Sequence, residues 1–523
     1  MLFNSYEFIF LFLPISLMIF FAITRLHREA AILWLVAASL FFYGWWNPAY
    51  LGLILLSMGI NFAFGRKLGT LSKSRRHHEA KLWLSIGIAL NLAALGYFKY
   101  ANFFVESLNA AAGTAFHLNP IVLPLAISFF TFQQIAYLVD AYKGITHEYR
   151  FSHYALFVTF FPQLIAGPIV HHQEMLPQFM DKANLKPRLE NLSVGLAIFF
   201  IGLFKKAVLA DGIAPYASSV FNTAGNGEPI TFFIAWGGAL AYTLQLYFDF
   251  SGYSDMAIGA ARLFGIKLPL NFHSPYKSLN IVEFWRRWHM TLSRFLRDYL
   301  YIPLGGNRRG PRRRYINLFL TMLLGGLWHG AGWTFVVWGG LHGLYLAINH
   351  AWHHLQSNLP FAVLPTGPAG KMLAWTITFS AVVVGWVFFR APDFPSALTI
   401  LHGMAGFNGI AVPNGIMARL GDAGNWLQTL GVKTYLGGGS QFLFTYLWVL
   451  PLLIIALFLP NTQEIMARFE PALDTYNIPP YQGRWLSRLC WQPKQQWAVI
   501  TALIAAAGIL ALSSVSEFLY FQF

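Results

Sequence analysis

Apolar residues along this chain come in long unbroken runs, not in the half-apolar patterns of soluble helices and strands. The runs lie near 6–24, 30–46, 48–64, 82–104, 119–142, 151–170, 190–210, 230–250, 315–335, 335–349, 371–389, 441–460 and 495–515. About 20 apolar residues suffice for a helix to cross a bilayer, so the pattern predicts roughly eleven to thirteen membrane helices, the shortest of them re-entrant. Three runs are interrupted by polar groups. One holds Pro124, Gln133, Gln134 and Asp140, a second Pro162 and Pro168, a third Asp249, Ser251 and Asp255. Proline breaks helices, and broken backbone at membrane depth is tolerated only inside protein or along a wet cavity. The pattern therefore predicts an all-α polytopic membrane protein, a single domain over 1–523, folded around a central polar tunnel. Asp249 and Asp255 are six residues apart, on different faces of a helix unless Gly252 breaks the turn. They are expected to make hydrogen bonds or caps, not to form a catalytic pair.

One stretch departs from this pattern. From Asn280 the sequence reads as an amphipathic helix, with Ile281, Phe284, Trp285, Trp288, Leu292, Phe295, Leu296 and Tyr299 on one face. Asn280 and Glu283 are spaced as a capping pair, and Pro303 with Gly305 and Gly306 ends the helix. Such a helix lies in the interface. An apolar segment follows, with His329 in its middle. The whole of 282–349 is the candidate catalytic segment. Gly406–Ser440, rich in Gly and Asn, is expected to be an extramembrane loop (406–440), and the tail EFLYFQF is too short to span.

Composition strengthens the membrane assignment. Residues are 56% hydrophobic and only 11% charged, with mean hydropathy +0.50, whereas soluble domains carry about 25% charged residues. The net charge of +15 does not call for nucleic acid, because its blocks lie between apolar runs as the positive-inside rule expects. The segment 65–81 carries Arg66, Lys67, Lys73, Arg75, Arg76 and Lys81 against Glu79. It is expected to be a cytoplasmic loop, with the N-terminus outside. The N-terminus lacks the marks of a cleavable signal, so the first run is expected to remain as a span. With Cys490 as the single cysteine, no intrachain disulfide forms.

Candidate chemistry concentrates in 280–349. An ionisable residue at membrane depth is costly and marks function by default, which singles out His329. His289 lies forty residues upstream. Gly326–Gly330 and Gly339–Gly343 are GxxxG pairs, read as close helix packing. Arg286, Arg287, Arg294, Arg297, Arg308, Arg309, Arg312, Arg313 and Arg314 crowd the stretch between, with Asp298 the one acid after Glu283. Guanidinium forks suit phosphates, of a cofactor or of lipid headgroups. All of these except Arg297 are candidate cofactor-binding residues. His350, His353 and His354 cluster, but no HExxH or cysteine pair accompanies them, and no metal is expected.

The elements EFWRRWHMTLSRFLRDYLYIPLGGNRRG and LLGGLWHGAGWTFVVWGGLHG resemble the membrane-bound O-acyltransferase (MBOAT) family, in its bacterial branch around the alginate O-acetylation protein AlgI, with peptidoglycan O-acetyltransferases and D-alanyl transferases as relatives. The likeness extends over nearly the whole chain, including SFFTFQQIAYLVDAYKG, FFPQLIAGPIV and YFDFSGYSDMAIGAARLFG. It implies that His329, in the WHG element, is catalytic and that His289, in WRRWH, assists. It implies acetyl-coenzyme A as donor substrate, with no permanently bound cofactor. It also implies a multi-pass location in the bacterial inner membrane. The implied partners are a periplasmic SGNH-type acetyltransferase and the polysaccharide synthesis machinery, with no nucleic acid. His329 would act as base or acyl carrier, in the neutral form that burial favours. The expected function is O-acetylation of an exopolysaccharide, alginate-type first. D-alanyl or peptidoglycan O-acyl transfer is the nearest alternative. A transporter of an anionic solute would use the same tunnel and charges, but the internal repeats of such transporters are not seen.

Overall fold

The computed structural model describes residues 1–146, 150–358, 367–473 and 489–513. The tail EFLYFQF lies outside the described residues. Helices dominate, and the one sheet among the described residues is a parallel pairing of Ala411–Pro413 with Lys433–Tyr435. Six segments are long and apolar enough to cross a membrane: Glu7–Thr24, Ala49–Lys73, His77–Ala112, Leu189–Gly225, Pro368–Arg390 and Gly439–Phe458. Other apolar helices are shorter or more polar, among them Arg28–Gly44, Ile127–Tyr142 and Gly310–His329. The chain forms an all-α polytopic membrane protein.

The chain divides into two compact units. The first comprises Met1–Phe204, Gly252–Asn271 and Thr462–Leu512. Its helices approach closely where side chains are small. A Cβ on Gly65 would lie 2.2 Å from the Tyr137 ring, so Ala49–Lys73 and Ile127–Tyr142 touch there. Several buried polar groups are satisfied in pairs, as an apolar surround favours. Asn61 and Asn91 exchange amide hydrogen bonds of 3.2 and 2.6 Å. Gln134 donates to Ser57 at 3.1 Å and accepts from the Tyr154 hydroxyl at 3.1 Å. Asp255 accepts from Thr462 at 2.5 Å and Gln463 at 3.2 Å, the hydrogen-bonding role expected of it. The break expected at Pro162 falls just before it: helix Phe151–Thr159 ends at Phe160, and Pro162 sits in the first turn of Phe161–Leu164. The basic segment 65–81 differs from expectation. Helix continues to Lys73 and resumes at His77, leaving only a turn with Arg75 at φ +54°. Long straight-chain basic residues are good helix formers, so the charge sits on helix ends and not in an open loop.

The second unit comprises Lys205–Ser251 and Phe272–Asn461. The helices Gly310–His329 and Trp333–Ser357 form a hairpin joined by 330–332. A Cβ on Gly326 would lie 2.3 Å from the Phe335 carbonyl oxygen, and one on Gly339 2.4 Å from that of Met322. These glycines are packing residues, and they let the two backbones meet. Phe232–Leu263 is one continuous helix of 32 residues, unbroken at Gly252. Within 406–440, two short helices, Asn414–Arg419 and Asp422–Thr429, lie between the paired strands.

Candidate active site

The expected interfacial helix is two helices. Ile281–Arg287 opens as predicted: the Asn280 side chain accepts from the Glu283 N–H at 2.9 Å, and Glu283 accepts from the Leu279 N–H at 2.9 Å. The helix then stops. Trp288 is extended and His289 adopts φ +44°, ψ 54°, before Met290–Leu296 resumes. A left-handed conformation for a non-glycine residue costs on the order of 1 kcal/mol and tends to sit at functional positions. Periodicity could not show this break, because the apolar stripe runs straight through it. The kink turns His289 wholly inward, with no exposed surface. Its ring meets Phe250 edge-on at 4.7 Å and lies 6.4 Å from Phe272.

His329 ends the Gly310–His329 helix, where Gly330 turns extended. The two histidine rings lie 6.3 Å apart, although forty residues separate them in the chain. His329 is also ringed by Trp328 at 5.0 Å, Trp338 at 5.2 Å and Phe389 at 5.3 Å. A narrow cavity of about 20 Å³ adjoins it, lined by Leu246, Phe250, Trp288, His329, Trp338, Trp386 and Phe389. That is room for about one water-sized group. The one ionisable group in its wall is His329; His289 is not part of the lining. The arrangement presents one imidazole to a small apolar chamber and backs it with a second. The aromatic walls could not be assigned from sequence, where Trp386 and Phe389 are simply part of an apolar run.

The arginines do not gather at the histidines. Arg308, Arg309, Arg312 and Arg313 are exposed around the start of Gly310–His329. At a rise of about 1.5 Å per residue, Arg314 is roughly 20 Å along that helix from His329. Arg314 donates to His350 at 2.9 Å, and Arg287 pairs with Glu283 at 2.7 Å. Arg286 is exposed, while Arg294 is half-buried one turn beyond His289. Among the described residues no three His, Cys, Asp or Glu side chains converge as a metal-ligand set.

One buried charge cluster escaped the sequence reading. Lys206 is 1% exposed and bridges Asp211 at 2.7 Å and Asp249 at 2.6 Å. Asp249 thus serves an ion pair, and the signal for it, a lysine within an apolar run, was available in the sequence.

Comparison with known proteins bears on this geometry. Residues 141–386 match the model of the MBOAT, membrane-bound O-acyltransferase family, and both histidines fall inside the match. The chain is 47% identical over 439 residues to the peptidoglycan O-acetyltransferase of Helicobacter pylori, covering 79% of this chain and 81% of that protein. It is 40% identical over 554 residues to the probable alginate O-acetylase AlgI of Pseudomonas aeruginosa, over 100% of both. It is 28% identical over 280 residues to the teichoic acid D-alanyltransferase of Streptococcus thermophilus, covering 51% of this chain and 68% of that protein.

Proposed function

The chain belongs to the membrane-bound O-acyltransferase family, and from that premise we propose that this multi-pass O-acyltransferase moves acetyl groups from cytoplasmic acetyl-coenzyme A across the bacterial inner membrane, for O-acetylation of an extracytoplasmic polysaccharide. The observation that carries the reading is the chamber beside His329: its volume of about 20 Å³ and its walls of Leu246 and aromatic rings suit a methyl group. The same walls hold no carboxylate, so a D-alanyl ammonium would find no partner there. An anionic-solute transporter is set aside by the family.

In the proposed reaction His329 takes the proton of an acceptor hydroxyl. The oxygen attacks the thioester carbonyl carbon, the carbon–sulfur bond breaks, and the proton passes to the departing thiolate. An acetyl-imidazole on His329 would split the same transfer into two steps. His289 would keep the His329 ring oriented from behind. The arginines would meet the donor phosphates, Arg294 near the histidines and Arg308–Arg314 at the far end of the helix. A secreted SGNH-type acetyltransferase would receive the group. Alginate and peptidoglycan, the polymers named for the relatives, are the first acceptors to try. The test is His329→Ala in a strain dependent on this chain. Loss of polymer O-acetyl groups with normal protein level and insertion is expected, and normal acetylation would overturn the role given to His329.

A further inference from the structure

His342 is fully buried on the Trp333–Ser357 helix, one turn beyond Trp338. Its Nδ1 accepts the Trp285 indole N–H at 3.2 Å. An indole N–H only donates, so that nitrogen carries a lone pair and the proton of the neutral ring sits on Nε2. Among the described residues the Nε2–H has no acceptor, and neither has the Nε1–H of Trp338, which is 1% exposed. A buried donor left without an acceptor costs about 1–3 kcal/mol, and two such donors together are uncommon. Both lie beside Gly385, which has no side chain. A Cβ built there would lie 3.0 Å from His342 Nε2 and 3.6 Å from Trp338 Nε1. The Trp338 and His342 rings are 4.9 Å apart, and Trp338 also meets the His329 ring edge-on at 5.2 Å and walls its cavity.

We propose that His342 and Trp338 form a two-donor subsite, one ring removed from His329, that takes an uncharged carbonyl-type oxygen of the acyl-bearing substrate. The proposal rests on the O-acyl transfer reading above. Two neutral N–H groups in an aromatic surround, with no cation beside them, suit a carbonyl oxygen and not a phosphate. Any side chain at Gly385 would crowd both donors, and His342 is here a binding residue and not a base. A tightly held water would satisfy the same donors, and the experiment separates the two.

The test uses two half-replacements in the full chain, in membrane vesicles supplied with labelled acetyl-coenzyme A. Asparagine at 342 presents an acceptor near the Nδ1 position and removes the ε donor. Glutamine restores an ε donor and removes the δ acceptor. His342→Asn is expected to lose roughly 10–100-fold in kcat/KM at an unchanged melting temperature, and His342→Gln to recover most of that loss. Gly385→Ala, which plugs the spot, should behave as His342→Asn does. Equal loss in the two histidine variants would overturn the proposal and leave His342 as an anchor for Trp285. A fall in melting temperature with normal kcat/KM in His342→Asn would also overturn it, in favour of a structural water. If the unaltered chain transfers nothing from acetyl-coenzyme A, the donor assignment fails. The same variants compared by polymer O-acyl content in cells then still decide the subsite.

Discussion

The cavity beside His329 makes a quantitative prediction about acyl length. At about 20 Å³ it holds little more than one water-sized group, so a propionyl chain must displace wall atoms where an acetyl methyl fits. One methylene at such a boundary is worth about 1–3 kcal/mol, or roughly 10–200-fold in kcat/KM. Leu246 is the wall residue to alter, because it is the aliphatic member of the lining and makes none of the ring contacts around His329. Leu246→Ala removes the branched end of a side chain that is 5% exposed, at a stability cost of about 2–5 kcal/mol. Its acetyl-to-propionyl ratio is expected to fall by about tenfold or more, mainly through faster propionyl transfer. The assay is competition between acetyl- and propionyl-coenzyme A in vesicles with matched amounts of folded protein, with Leu246→Val as the milder replacement. A ratio unchanged within about twofold in a folded variant would show that this chamber does not hold the acyl group.

Three further outcomes follow from the second unit. Lys206→Met leaves Asp211 and Asp249 buried without their cation and should cost about 3–5 kcal/mol, read as a lowered melting temperature; an unchanged value would mean that one carboxylate is already protonated. Replacing Arg308, Arg309, Arg312, Arg313 and Arg314 with lysine should keep insertion and raise the donor concentration for half-maximal rate, since lysine lacks the planar fork; an unaltered value would assign phosphate binding to the arginines nearer His289. Asn280→Ala removes the cap of the Ile281–Arg287 helix and should cost about 1 kcal/mol, and a loss of activity far beyond that would mean the cap also sets the His289 kink.

Much of this protein is written in one dimension. Apolar runs of membrane length, the helix break just before Pro162, the Asn280 cap and the glycines of the hairpin all depend on neighbours within a few residues, so periodicity and residue type determine them. His329 stood out for the same reason, as an ionisable residue among apolar ones. What sequence could not determine depends on residues far apart in the chain. The 6.3 Å approach of His289 to His329 needs a left-handed residue in the middle of a helical stripe, and tertiary packing holds it there against local preference. The chamber walls come from 246–250, 288, 329, 338 and 386–389, each unremarkable in its own run. The arginines show the converse: in the sequence they crowd the stretch between the two histidines, but Arg308, Arg309, Arg312, Arg313 and Arg314 sit around the start of a helix whose fixed rise puts His329 roughly 20 Å away, because closeness along a chain is not closeness in space.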